Sequence, residues 1–290
     1  MTSTLPVAFA ATLALAPSLV PLSAHTAHAH AVLPFSVYDR GAIVVPVSIG
    51  GAGPYRFLLD TGSTRSAIST SLARHLRSVV VAQTLMVTPA GGGTRNVTIV
   101  PALQVGQTRP VSVAAMVLPN DSLARAGKVD GLLGQDVLAR WSYTIDYRRR
   151  ELVWHDGGAD HMLGHRLPLT SANGLQFVEL PTLLGSSGPV RLIADSAADA
   201  IVLFATAGRP MRSAAPMETG LLKTSTGLQV GQRIQLEELK LGDLTLRNQP
   251  ALLLPDREAT GLLGDGLLPL SLFARVTFDA AAGALIVVAR

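Results

Sequence analysis

An internal repeat with a constant spacing of 135 residues constrains the fold of this chain more than any other feature. Residues Val45–Asp60 (VPVSIGGAGPYRFLLD) align without a gap on Leu180–Asp195 (LPTLLGSSGPVRLIAD). Six of the sixteen positions are identical, and most of the others exchange one apolar residue for another. Two similar halves, each with one Asp at the end of an apolar run, predict a molecule with a pseudo-twofold axis. Such an axis can bring Asp60 and Asp195 together.

Asp60 follows the apolar run Phe57–Leu59 and opens the sequence Asp60-Thr61-Gly62-Ser63. Burying a lone carboxylate is costly unless hydrogen bonds or a partner compensate. Asp-Thr-Gly is also common in ordinary turns, where Asp and Gly are favoured for local reasons. Asp60 is therefore either a capped structural turn or a working acid, and the repetition favours the acid.

Each half also carries an apolar-apolar-Gly signature downstream of its Asp. In the first half it is Asp130-Gly131-Leu132-Leu133-Gly134. We expect the second copy at Thr260-Gly261-Leu262-Leu263-Gly264.

Strand-like runs separated by Gly and Pro turns dominate the chain, and helical spacing is limited to short stretches such as Ser69–Leu76 and Gln135–Arg140. The stretch Thr84–Val100 reads as two strands around a Gly-rich tip, which is either a loose loop or a mobile cover over a cleft. Leu221–Ile234 stands in the same place in the second half. These elements predict a mainly β fold in two lobes. The tip consists of Ala90, Gly91, Gly92, Gly93 and Thr94.

The length of 290 residues and a hydrophobic content of 48% allow two lobes, each with its own core. We expect an N-terminal lobe over residues 32–155, a linker over 156–174 and a C-terminal lobe over 175–290. The linker region offers a possible metal-binding set, but on a Gly-rich loop without helical spacing, so we predict a polar hinge, no metal and no cofactor. That set is His155, Asp156, Asp160, His161 and His165.

The net charge of +4 and the pI of about 9.8 result from few charges of either sign. Arg148-Arg149-Arg150 is the longest basic run, and no clustered basic face with interleaved aromatics accompanies it. Nucleic-acid binding is therefore not expected. The chain contains no Cys, which excludes disulfides, Cys-zinc sites and thiol nucleophiles.

The N-terminus suggests export. Residues 5–22 are mostly apolar, and small-x-small cleavage candidates follow at Ala27-His28-Ala29 and Ala29-His30-Ala31. We interpret residues 1–31 as a cleaved signal peptide, with an uncleaved anchor as the alternative. Three prolines within the first 21 residues argue against a stable membrane span, so a periplasmic or secreted protein is expected.

Taken together, these motifs resemble the pepsin/retropepsin class of aspartic proteases, in a bacterial-style single-chain, duplicated form. The resemblance covers about residues 38–290. It implies a bilobal acid-protease fold, a peptide or protein substrate, no cofactor and a monomer. It also implies that Asp60 and Asp195 form a catalytic dyad and that the Gly-rich hairpin is a flap over the cleft. The supporting loop residues carried over are Thr61, Gly62, Ser63, Ser196 and Ala197.

The second aspartate motif departs from the family pattern. Asp195-Ser196-Ala197 keeps the hydroxyl at Ser196 but has Ala where the family has Gly. Ala would be strained if this position required a left-handed backbone. Three alternatives to an active endopeptidase therefore stay open: a degenerate peptide-binding pseudoprotease, a half-site enzyme that uses Asp60 in a homodimer, and a purely structural duplicated β protein.

Overall fold

A computed structural model describes residues 31–38, 41–159, 161–184, 186, 188–205, 218–224, 226–255 and 262–290. Residues 1–30 of the predicted signal peptide lie outside this part of the chain, as do Asp160, Thr260 and Gly261. Among the described residues, no helix is long and apolar enough to cross a membrane.

Strands dominate the described residues, which confirms the predicted mainly β fold. The first half contains β1 (Ala31–Pro34), β2 (Ser36–Tyr38), β3 (Ala42–Ile49), β4 (Ala52–Leu59), β5 (Ala67–Ser69), β6 (Val80–Thr88), β7 (Gly91–Val105), β8 (Val111–Leu118), β9 (Gly131–Leu133), β10 (Ser142–Asp146) and β11 (Glu151–His155). The second half contains β12 (His165–Ala172), β13 (Leu175–Leu180), β14 (Val190–Asp195), β15 (Ile201–Phe204), β16 (Thr219–Thr224), β17 (Gly227–Leu241), β18 (Leu244–Leu254), β19 (Gly266–Pro269), β20 (Phe273–Asp279) and β21 (Ala284–Ala289).

The helical segments are short. Among the described residues they include α1 (Thr70–His75), α2 (Gln135–Leu138) and 3-10 helices at Asn120–Ala126 and Leu270–Leu272. Helix α1 begins where predicted, because the Ser69 hydroxyl accepts a hydrogen bond from the backbone N–H of Leu72 and caps its N-terminus.

The strand carrying each aspartate pairs with the same partner in both halves. Strand β4 lies parallel to β9 with Phe57 opposite Gly131, and β14 lies parallel to β19 with Leu192 opposite Gly266. The counterpart of the first apolar-apolar-Gly signature is therefore Asp265–Pro269, and the prediction of Thr260–Gly264 is wrong. Two Gly-Leu-Leu runs follow each other closely in this region, at 261–263 and 266–268, and only the second keeps the spacing of 135 residues.

A pair of acidic side chains confirms this register. Asp130 Oδ2 accepts a hydrogen bond of 2.9 Å from the backbone N–H of Arg56. Asp265 Oδ2 accepts the equivalent bond of 2.8 Å from Arg191. The glycine that follows each Asp lies where two strands approach closely. A methyl group on Gly131 would lie 2.5 Å from a backbone oxygen, and one on Gly266 would collide with the backbone oxygen of the equivalent strand.

Six neighbouring strands of one sheet, drawn from both halves of the chain, join the two lobes, and we call them the base. Strand β10 pairs antiparallel with β20, so that Thr144 lies opposite Thr277 and their hydroxyl oxygens are 2.7 Å apart. The sequences Tyr143–Asp146 and Val276–Asp279 match at a spacing of 133 residues, so these two threonines are counterparts. Because equivalent residues face each other here, the pseudo-twofold axis passes through this strand pair. The base continues on both sides in the order β1-β11-β10-β20-β21-β12.

The predicted linker over 156–174 contains a strand, β12, which pairs with β21 on one side and β13 on the other. This segment is therefore part of the sheet that joins the base to the C-terminal lobe rather than a solvated hinge throughout.

Candidate active site

The two predicted aspartates lie at the ends of equivalent strands and line the same cavity, which has a volume of about 320 Å³. Asp60 directly follows β4 and is half-buried, whereas Asp195 ends β14 and is buried. A methyl group added to Gly62 would lie 2.5 Å from Cγ of Asp195. The loop of one lobe therefore lies directly against the carboxyl group of the other.

Four hydrogen bonds join the two aspartate loops. They connect Thr61 with the Asp195 loop and Ser196 with the Asp60 loop. The Thr61 hydroxyl donates to the carbonyl oxygen of Ala194 at 2.6 Å, and the Ser196 hydroxyl donates to that of Leu59 at 2.8 Å. Each hydroxyl also accepts the backbone N–H of the other residue, at 2.8 and 3.1 Å. Both side chains are buried, so these bonds are protected from competition with water.

Backbone N–H groups face both carboxyl groups. Gly62 donates to Oδ1 of Asp60 at 3.1 Å. Ala197 and Ala198 donate to Oδ1 of Asp195 at 2.7 and 3.0 Å. Such donors stabilise the ionised form of a carboxyl group and fix its orientation.

Ala197 fits its position without the expected strain. Neither Gly62 nor Ala197 has a backbone in the left-handed region. The methyl group of Ala197 packs against the buried apolar cluster of the N-terminal lobe. The condition under which Ala197 would be strained, a left-handed backbone at this position, is therefore not met. Ser63 closes the first loop, with its hydroxyl donating to the carbonyl oxygen of Arg65 at 3.0 Å.

The predicted flap is the β6–β7 hairpin, and its residues 84–89 line the cavity. Its turn is at Pro89-Ala90, whereas the predicted tip residues Gly91 to Thr94 belong to strand β7. The hydroxyl of Thr88 closes this turn by accepting the N–H of Ala90 at 3.2 Å and donating to the carbonyl oxygen of Gly91 at 3.0 Å. The turn therefore forms at the closing threonine rather than at the glycines.

A second hairpin, β16–β17, reaches over the same cavity from the C-terminal lobe. Thr224 closes its turn as Thr88 does, accepting the N–H of Thr226 and donating to the carbonyl oxygen of Gly227, both at 3.3 Å. The two turns touch: the Thr88 hydroxyl lies 2.5 Å from that of Thr226 and 3.2 Å from that of Thr224. Two hairpins, joined by hydroxyl groups, therefore cover the cleft.

Removing the hydroxyl of Thr88 should loosen this roof. Thr88→Val keeps the shape of the side chain but removes the bonds within its own turn and those to the other hairpin. We expect the backbone amides of residues 88–91 to exchange hydrogen faster by about fivefold, as the loss of a hydrogen bond worth about 1 kcal/mol implies. Hydrogen exchange measured by mass spectrometry tests this, with Thr94→Val on the same hairpin as control. Equal exchange in the two variants would contradict the contact.

A family model described as aspartyl protease matches the chain twice, over residues 45–137 and 181–267. The chain belongs to the aspartyl protease family. One match covers each aspartate loop, in agreement with a duplicated aspartyl protease. A search of curated proteins found no match to the chain.

In this family member, the cleft walls on both sides of the aspartates are apolar. Most of these side chains belong to two buried clusters, one in each lobe. Arg65, Asp199 and Lys223 add charge to the same cavity. On the N-terminal side the wall consists of Leu58, Met86, Met116, Leu118, Leu123 and Leu132. On the C-terminal side it consists of Leu175, Ile193, Val202, Leu222, Leu263 and Leu267.

Two histidines of the possible metal-binding set, His155 and His165, have other contacts. Nε2 of the buried His155 lies 2.7 Å from the hydroxyl of Thr144, and Nδ1 of His165 lies 2.8 Å from Oδ1 of Asp243. Within the described part of the chain, no group of three or more potential metal ligands occurs.

Sequence analysis missed a half-buried carboxyl group, that of Asp136, behind the first aspartate loop. Asp136 Oδ1 accepts hydrogen bonds from the backbone N–H and the hydroxyl of Ser66, at 2.9 and 2.7 Å. Burial raises the pKa of Asp136 above its ordinary value of 3.8, although the bonds from Ser66 and the nearby charge of Arg65 oppose this. Its sequence signal was limited to its place two residues after Gly134, at the end of the first signature.

Asp136 should make stability depend on pH. A raised pKa means that the folded state holds the proton more tightly than the unfolded chain does, so the contribution to stability is lost as the pH rises through the folded pKa. Asp136→Asn cannot titrate. We expect the stability of the parent chain relative to this variant to fall as the pH rises from 3 to 7. Urea unfolding in an Asp60→Asn background, which avoids self-cleavage, tests this. A difference independent of pH would contradict it.

Proposed function

We propose that the chain is an aspartic endopeptidase, in which Asp60 and Asp195 together activate the water that hydrolyses a peptide bond. The observation that carries this proposal is the reciprocal pair of bonds made by Thr61 and Ser196, because it ties the loops of both aspartates together in a single chain. Both carboxyl groups line one covered cavity.

The chemistry requires one proton shared between the two carboxyl groups, since two close carboxylates do not both ionise easily. The ionised carboxylate takes a proton from water as the water oxygen bonds to the peptide carbonyl carbon. The protonated carboxyl group gives its proton to the carbonyl oxygen. The C–N bond of the resulting diol then breaks: the amine takes the proton that came from water, and a diol hydroxyl returns a proton to the other carboxylate. The pair thus regains its starting state and titrates as a unit.

The shape of the cleft favours an extended peptide. Apolar walls on both sides of the aspartates suit apolar side chains flanking the cleaved bond. The two covering hairpins must separate before a chain can enter, which favours flexible segments over folded ones. The proposed reaction uses no cofactor.

The organisation of the full protein belongs to the same proposal. Residues 1–31 would direct export to the periplasm or outside the cell and then be removed. Lobes over 32–155 and 175–290, joined through 156–174, would act as a monomer, because one chain supplies both aspartate loops.

Cleavage of an unfolded protein substrate by residues 32–290, followed across pH 3–7, tests this function. The control is the double variant with Asn at both aspartates. We expect cleavage by the parent chain at acidic pH and none by the control. Peptides that bind without being cut by the parent chain at any pH would overturn the enzymatic proposal in favour of a peptide-binding pseudoprotease.

A further inference from the structure

Gln135 makes two hydrogen bonds to the Asp60 loop from behind. Its side-chain Nε2 donates to the carbonyl oxygen of Thr61 at 2.8 Å, and its backbone N–H donates to that of Ser63 at 2.8 Å. The Gln135 side chain is buried, and Thr61 is fully buried. One residue therefore holds both sides of Gly62, which lies against Asp195.

The neighbours of Gln135 extend these contacts. The backbone N–H of Gly134 donates to the hydroxyl of Ser66 at 3.0 Å, and Asp136 accepts both polar hydrogens of Ser66. Gly134, Gln135 and Asp136, together with Ser66, form what we call the loop brace.

The second lobe replaces the loop brace with largely apolar residues. At the spacing of 135, Ser66 corresponds to Ile201, Gly134 to Pro269 and Gln135 to Leu270. Pro269 has no N–H to donate, and the fully buried Leu270 has no polar side-chain atom. The loops themselves are matched in their reciprocal bonds, so the difference between the lobes lies behind the loops.

We propose that Gln135 is a positioning residue for the proposed reaction: it holds Thr61 and thereby fixes the Asp60 carboxyl group against Asp195. This inference rests on the proposed function. Thr61 is held on one side by the second lobe, through its hydroxyl and Ala194, and on the other by Gln135. Without the amide, the buried carbonyl oxygen of Thr61 loses this donor, and the loop must move to regain one.

Movement of the loop has two consequences for catalysis. A displacement of about 1 Å at a catalytic group can lower the rate by about 100-fold. A larger distance between the carboxyl groups also weakens their coupling, so that their two apparent pKa values approach each other. The bell-shaped dependence of kcat/KM on pH should then become narrower. A residue with only a general structural role would not change this width.

The test compares Gln135→Met with Leu270→Met. Methionine has a size similar to glutamine but no donor, and Leu270 is the equivalent buried position in the other lobe. For Gln135→Met we expect kcat to fall about 10- to 100-fold with KM within about twofold, together with a narrower pH profile. For Leu270→Met we expect the parent profile. A parent-like profile in both variants, in a parent chain that cleaves, would overturn the positioning role and leave the proposed function intact.

Hydrogen exchange separates the two proposals if the parent chain does not cleave. We expect Gln135→Met to increase exchange in the peptide covering residues 57–69 relative to Leu270→Met, while residues 192–198 remain as in the parent. No such increase would overturn the positioning role independently of activity.

Discussion

Asp60→Asn and Asp195→Asn are each expected to abolish peptide cleavage, lowering kcat/KM by about 10⁴-fold or more, as is typical when a catalytic group is removed. Between pH 3 and 7, the Asn amide cannot take the proton from water. It also cannot donate the acidic proton that the two carboxyl groups share. Asn keeps the size of Asp and its Oδ1 acceptor, so the N–H donors of Gly62, Ala197 and Ala198 retain a partner. We therefore expect both variants to fold.

Initial rates on an unfolded protein substrate measure this effect, with circular dichroism as a check on folding. Asp243→Asn is the control, because Asp243 is exposed and contacts His165. Activity that survives Asp195→Asn but not Asp60→Asn would contradict a dyad within one chain and would support a half-site enzyme that uses Asp60 in a homodimer.

We expect Gly62→Ala to lower kcat/KM by about 100-fold or more, because its methyl group would lie 2.5 Å from both Cγ and Oδ2 of Asp195. The Asp195 carboxyl group must then move away from residue 62, since the loop is fixed by the bonds of Thr61 and Ser196. Backbone strain plays no part, as Gly62 is outside the left-handed region.

The matched comparison is Ala197→Gly at the equivalent position of the other lobe. This change removes a methyl group that packs against the N-terminal apolar cluster, and it costs about 1 kcal/mol of stability. We expect its effect on kcat/KM to be at least tenfold smaller than that of Gly62→Ala. A similar loss of kcat/KM in both variants would show that the two loops are equally sensitive to substitution. That result would contradict the argument from the close approach of Gly62 to Asp195.

The repeat at a spacing of 135 was enough to predict the two lobes, because buried strands that carry equivalent residues fold in equivalent ways. It also predicted which loops meet, although roles for their residues stay predictions. The second Gly-Leu-Leu signature was misplaced because two such runs, at 261–263 and 266–268, lie close together. Only strand pairing, with Leu192 opposite Gly266, distinguishes them.

Other features depended on side-chain contacts that have no pattern of their own. The turn of the first hairpin forms where Thr88 closes it, so the glycine run did not mark the tip. The closing threonine of the second hairpin is displaced by one residue from the spacing of 135, which hid its equivalence. Gln135 resembles any polar residue at the start of a short helix until its buried contact with Thr61 is known.

The strand pair at the axis has a consequence for how this protein can change. Thr144 faces Thr277, its own counterpart, as two identical copies would face each other in a symmetric dimer. In such a dimer of identical chains, any substitution in an active-site loop is present in both loops. Joining the copies into one chain removes that restriction, so each half can acquire substitutions that the other could not accept. The two halves have already diverged at two pairs of equivalent positions: Gly62 corresponds to Ala197, and Gln135 corresponds to Leu270.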